Sequence, residues 1–299
     1  MPQAWLDQTG SPNWWRGPDG VRSGWRAAIF VSLNVVLVFL CAFLTPRGLL
    51  LLLAPHGQIT PGFVAVNESL LLLPACAATL VMTRLEGRSF ISCGLGGDKK
   101  LVRLLRGIAA GLALLTVITW LVYATGHARI IWGGLGVGSA VSFAITWAAA
   151  SLLTGLAEEL ALRGYLLQSL TRGLGFWPAF ALTTLLFGAL HISNSGESVI
   201  GIISVIMGGA LLALGVRGTG SLWWSIGLHG AWDYFENYLS GSPDSGQICA
   251  GTLLRTTPLG SSYLSGAATG PEGSLFALAV LAAGLALAWL VFVRAKMAV

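Results

Sequence analysis

Residues 26–44 read RAAIFVSLNVVLVFLCAFL, a run with one charge at its start, one Ser, one Asn and otherwise only apolar side chains. As a helix rising 1.5 Å per residue, the run extends about 28 Å, close to the thickness of a hydrocarbon core. Strands of a membrane barrel would alternate polar and apolar residues, which this run does not do. Comparable stretches follow at 62–83, 106–124, 139–165, 177–194, 197–215, 221–239 and 274–293. The pattern predicts an all-α, polytopic membrane helix bundle of about eight transmembrane helices, a single domain over 1–299. The shorter run 49–54 ends at Pro55 and reads as an interfacial or re-entrant piece.

Composition agrees. Hydrophobic residues make up 55% of the 299 positions and charged ones 10%, well below the roughly 25% charge of a soluble domain. The net charge of +5 raises the question of nucleic acid, and the placement of the basic residues answers it. Fourteen of the 17 Lys and Arg fall in the N-terminal tail (1–25) with Arg26, the 2–3, 4–5 and 6–7 connections and the C-terminal end, including Lys296. Only Arg47, Arg129 and Arg255 fall in the alternate connections. The positive-inside rule then places both termini in the cytoplasm, in what reads as a bacterial plasma membrane, with no nucleic-acid partner. The first run is too long for a signal-peptide core and is expected to remain as an anchor. The segment 240–273, rich in Gly, Ser and Thr, reads as a mobile outer loop.

Smaller features are assigned structural roles. Cys41, Cys76, Cys93 and Cys249 form no metal or disulfide pattern. The stretch 133–138 has the glycines of a phosphate cradle but neither a preceding strand nor a closing Lys–Ser/Thr pair. Gly107 and Gly111 are spaced to let two helices of the bundle approach closely.

Ionisable side chains inside a bilayer are costly, about 2.5–3.5 kcal/mol each for Asp, Lys or Arg. Here they cluster: Glu158, Glu159 and Arg163 on the fourth predicted span, His191 on the fifth, and His229, Asp233 and Glu236 on the seventh. Glu68 is read as reaching the interface. Glu159 and Arg163, four apart, share a helix face and can pair, while Glu158 points about 100° away. His229 and Asp233 share a face in the same way. Depths counted from the span ends, roughly 10–20 Å, allow one shared cavity.

These residues carry a resemblance. Glu158-Glu159-Leu-Ala-Leu-Arg163 looks like the E-E-x-x-x-R motif of the CAAX-prenyl-protease and bacteriocin-processing (Abi) family. Phe187-Gly-Ala-Leu-His191 resembles its F-x-x-x-H motif, and His229-Gly-Ala-Trp-Asp233 its H-x-x-x-N/D motif. The likeness covers about 140–240, the expected catalytic core. It implies a glutamate-type intramembrane endopeptidase whose cavity opens to the cytoplasm, acting on a hydrophobic, lipidated or bacteriocin-like peptide. By that resemblance Glu158 and His191 activate water, His229 and Asp233 stand where the family stabilises the oxyanion, and Glu159 and Arg163 support the helix. Many relatives have Asn at the position of Asp233; an ionised Asp cannot donate to an oxyanion, so Asp233 is expected to be protonated or to orient His229.

Metal-free hydrolysis, with no cofactor, is the preferred reading. The alternative is zinc on Glu158, His191 and His229, a donor set suited to a three-ligand site. Two other functions fit the same residues: a non-catalytic immunity or scaffolding protein of the same fold, and a small proton-coupled transporter, since buried Glu, His and Asp also build proton relays. The substrate and the oligomeric state are not legible in the residues.

Overall fold

A computed structural model describes residues 14–17 and 20–294 of the chain. Residues 1–13 of the predicted tail and Lys296 lie outside the described residues. The bundle is all-helical in its body: α1 (Ser23–Leu44), α2 (Arg47–Leu53), α3 (Pro61–Leu85), α4 (Lys100–Ala124), α5 (Val137–Glu159), α6 (Leu167–Leu174), α7 (Phe176–His191), α8 (Val199–Thr219), α9 (Trp223–Tyr234), α10 (Ser262–Ser265) and α11 (Leu275–Ala288). Wider, π-helical turns join α5 to α6 over Leu160–Leu166 and extend α9 over Phe235–Ser240 and α11 over Trp289–Arg294. Two short antiparallel pairs complete it, β1 (Arg16–Gly17) with β2 (Gly20–Val21), and β3 (Ala128–Trp132) with β4 (Leu254–Pro258).

Helix starts follow ordinary capping chemistry. Thr60, Ser198 and Ser274 each accept a backbone N–H from the first turn of α3, α8 and α11, satisfying donors that a helix leaves open. The long apolar helices turn large side chains outward, with Phe39, Phe43 and Leu85 all more than two-thirds exposed. Such faces need lipid, and the chain is an integral membrane protein.

Among the described residues, six helices are long and apolar enough by themselves to cross a membrane; the eight crossings that the hydropathy runs predict need α7 and α9 as well. α7 is apolar but has only 16 residues, about 24 Å of helix. α9 with its extension carries His229, Asp233, Glu236 and Asn237, which remove it from the apolar set. It sits in the middle of the protein, with Trp224 through Ala231 buried.

Glycines bring α9 into that position. A Cβ added at Gly107 would stand 2.0 Å from the Trp224 carbonyl oxygen, and one at Gly227 would stand 2.2 Å from that of Leu104. Gly155 and Gly230 do the same between α5 and α9, at 2.8 Å from the Ile226 oxygen and 2.9 Å from the Ser151 oxygen. Gly107 and Gly111 therefore serve contact within the bundle, as their spacing predicts.

The connections gather at two ends, in the alternation that the charge count requires. At one end Glu86 meets Arg26, Arg88 and Arg172, and accepts a bond from the Tyr165 hydroxyl. Leu222 N–H donates to the Gly94 carbonyl there as well. These residues come from four of the five regions expected in the cytoplasm. At the other end β3 pairs with β4, Ile59 bonds with Ile248 and Ala250, and Gly196 bonds with Ser245. The segment 240–273 thus differs from the mobile loop expected: β4 and turns tied to three other connections give it a folded path. The run 49–54 lies mostly within α2, with Leu51 and Leu52 exposed, too short to cross.

Burial alone would raise the Glu86 carboxyl, but bonds from Tyr165 and Arg88 and the charges of Arg172 and Arg26 outweigh it and hold the group below its ordinary range. A lowered carboxylate stabilises the fold above its unfolded value and loses that contribution as pH falls through the folded one. Acid titration of unfolding is therefore expected to show stability falling below about pH 4.5, and Glu86→Gln to flatten that fall. Gly107→Val is expected to cost about 1–3 kcal/mol by overpacking. Gly208→Ala, whose Cβ would meet nothing within 4 Å, is expected to be neutral or slightly stabilising in the same thermal unfolding measurement.

Candidate active site

The E-E-x-x-x-R run lies where α5 gives way to the wider turns, and Gly164 there leaves helical geometry at ψ −108°. Insertions of this kind often sit at functional sites because they re-aim side chains. Glu159 and Arg163 are both fully buried, with Nη1 to Oε1 2.9 Å. Arg163 Nη2 also donates to the Gly209 carbonyl of α8 at 3.3 Å. Its guanidinium lies 4.3 Å from the centre of the Phe187 ring. Phe187 in turn packs edge-on against His191 (4.6 Å between centroids) and His229 (5.8 Å). One aromatic ring therefore joins the three motifs.

His229 stands between the two glutamates. Its Nδ1 is 3.1 Å from Glu159 Oε1. Its Nε2 is 3.8 Å from Glu158 Oε2 and 3.9 Å from Asp233 Oδ1. An ionised carboxylate only accepts, so the short contact puts a proton on Nδ1. The two longer separations leave Nε2 facing open space. His191 Nδ1 lies 2.8 Å from the Phe187 carbonyl oxygen, which also only accepts. That fixes the Nδ1–H tautomer and leaves Nε2 of the neutral ring as a base.

Glu158, His191, His229 and Asp233 all line one cavity of about 650 Å³. Glu158 keeps 23% of its side chain exposed, whereas Glu159 keeps none. This is the divergence expected of adjacent helix positions, yet both carboxylates reach the same imidazole. The bond from Glu159 to His229 was not legible in the motif, since it depends on how closely α5 and α9 approach. Glu68 is a correction: it is 7% exposed and lines the cavity, so it does not reach the interface as expected. The lining also extends to Asp244, Gln247 and Glu272, at the end where 240–273 folds. Val35 and Phe39 on α1, with Leu186 and Leu190 on α7, give the cavity an apolar flank that is exposed on the protein surface.

The donor types of Glu158, His191 and His229 suit zinc, whose ligand atoms lie about 3.3 Å apart in a tetrahedral site. Glu158 and His229 come within 3.8 Å, but the three residues do not all bring a ligand atom within 4.8 Å of one another. Among the described residues, only Glu236, Asp244 and Glu272 bring three such ligand atoms within 4.8 Å of one another.

Residues 140–235 match the family described as Rce1-like, type II CAAX prenyl endopeptidase Rce1-like. The matched stretch contains all three motifs, in agreement with the resemblance drawn from them. No curated protein was found to match the chain.

Removing one partner of a buried ion pair leaves an uncompensated charge, at about 3–5 kcal/mol. Arg163→Ala is expected to lower the unfolding free energy by that amount, and Glu159→Gln combined with Arg163→Met to recover part of it. Chemical denaturation of the purified protein in detergent measures both.

Proposed function

Taking 140–235 as a module of the Rce1-like CAAX endopeptidase family, we propose that this chain is an intramembrane endopeptidase that hydrolyses a peptide bond in a membrane-associated substrate. The observation that carries the proposal is the pairing of a partly exposed Glu158 with an imidazole nitrogen 3.8 Å away in one cavity, the second ring nitrogen being held by a separate buried carboxylate.

Amide hydrolysis needs a base for the water and a donor where negative charge develops. Glu158 is the base in this scheme. His191 Nε2 accepts a proton in its Nδ1–H tautomer, and so can share the water with Glu158 or pass its proton onward to the leaving amine. His229, kept in one orientation by Glu159, presents Nε2 to the oxyanion. As an imidazolium it donates there, flanked by the carboxylates of Glu158 and Glu159. Asp233 Oδ2 is buried with no hydrogen-bond partner. A protonated Asp233 supplies from that position the second donor that Asn would supply in relatives. This scheme uses no metal, in keeping with the poor fit of the zinc ligand set.

The apolar flank formed by α1 and α7 suits a hydrophobic or lipidated peptide arriving from the bilayer. A prenylated C-terminal peptide is the substrate class to test first. The cytoplasmic position of the termini remains part of the proposal, supported by the charge count and by the sorting of the connections.

Glu158→Gln is expected to reduce kcat on a farnesylated peptide by about 10²–10⁴-fold without lowering the unfolding temperature. His191→Ala is expected to fall in the same range. Cleavage that persists unchanged in both variants would overturn this assignment; bacteriocin protection or partner binding that survives them would favour an immunity or scaffolding role, and a solute flux that depends on Glu158 would favour transport.

A further inference from the structure

At the end of the same cavity where 240–273 folds, three carboxylates converge from two stretches distant in sequence. Glu236 comes from the π-helical extension of α9, Asp244 from the turn that follows, and Glu272 from the short helical turn before α11. Each offers an oxygen within 4.8 Å of the others. Glu236 is 1% exposed and Glu272 7%.

The segments that present them are held rigidly. Ser245 and Gly246 donate backbone bonds to the Thr269 and Ala268 carbonyls, at 3.0 and 2.8 Å. Gly270, at φ +95°, lets the two turns close: a Cβ there would stand 2.0 Å from the Pro243 carbonyl oxygen. Glu272 receives bonds from Trp232 Nε1 and Ser245 Oγ, each at 3.3 Å. Glu236 Oε1 is buried and has no partner. No Lys or Arg ion pair reaches the cluster among the described residues, and a buried charge without a partner is expensive.

We propose that Glu236, Asp244 and Glu272 form a binding site for a hard divalent cation, calcium in the first instance, that fastens the folded segment 240–273 to the end of α9. Three carboxylate oxygens select a hard ion over a soft one. Calcium accepts irregular all-oxygen coordination from carboxylates, whereas magnesium demands near-ideal octahedral geometry, so calcium is the ion to test first. A bound cation would offset the repulsion among three carboxylates held this close together and give the unpartnered Glu236 Oε1 a ligand. The site is separate from the Glu158–His229 pair and does not depend on the chain being a peptidase.

The test uses the whole protein in detergent, stripped with chelator, and terbium as the probe, with Trp232 beside Glu272 to sensitise its emission. Saturable emission that calcium displaces is expected. Glu236→Gln and Glu272→Gln are expected to weaken it about tenfold or more, whereas Glu158→Gln keeps it. Calcium is expected to raise the unfolding temperature of the stripped wild type and leave that of Glu272→Gln unchanged. The chelated Glu272→Gln protein should be at least as stable as the chelated wild type, since Gln removes repulsion, and Asp244→Asn serves if that variant does not fold. The proposal is overturned if calcium leaves the wild-type unfolding temperature unchanged. It is equally overturned if emission survives both Gln variants, or is lost in Glu158→Gln while intact in Glu272→Gln.

Discussion

The buried pair of Glu159 and Arg163 is the interaction on which the site depends. Two full charges, neither exposed to water or lipid, are kept inside a membrane protein only if they are paired. Arg163 bonds to Glu159 and the Gly209 carbonyl and lies over the face of Phe187, while Glu159 meets both Arg163 and His229 through Oε1, leaving Glu159 Oε2 and Arg163 Nε without partners. The contacts beyond the pair itself reach α7, α8 and α9. The pair therefore sets where α5, α7, α8 and α9 stand relative to one another, and with them the orientation of His229 and the space beside Glu158.

Close backbone contact makes this possible. α9 would be too polar to face lipid, and it avoids doing so by lying against α4 and α5 at glycines that leave no room for a side chain. The same contact brings Glu158 and Glu159, neighbours on one helix, to opposite nitrogens of one ring. One carboxylate is sealed in and acts on orientation. The other keeps a path to the cavity. Their different burial, more than their chemistry, separates the two tasks.

Much of this was legible in the residues. The helical runs, the four-residue spacing of Glu159 and Arg163, and the glycine pair at 107 and 111 follow from local periodicity, which a sequence displays directly. The link from Glu159 to His229 and the burial of Glu68 depend on packing between helices far apart in the chain, and no spacing rule reports that. Eight hydropathy runs and six long apolar helices differ because hydropathy runs do not measure helix ends: α7 stops at His191, and α9 gains its length from polar residues. The folded path of 240–273 was missed for a related reason. Gly, Ser and Thr suggest a flexible loop, while the bonds that order it come from Ile59, Gly196 and β3. Asp244 and Glu272 lie inside that segment, and only its turns bring them to Glu236.

The central claim is that a peptide bond is cut between Glu158 and His229. A structure of the Glu158→Gln protein with a bound farnesylated peptide tests it most directly. The account predicts the scissile carbonyl oxygen within hydrogen-bond distance of His229 Nε2. It also predicts the carbonyl carbon facing position 158 and His191, close enough for a water held there to attack from about 3–3.5 Å. A peptide seated away from these residues, or one whose carbonyls all point away from His229, would contradict it.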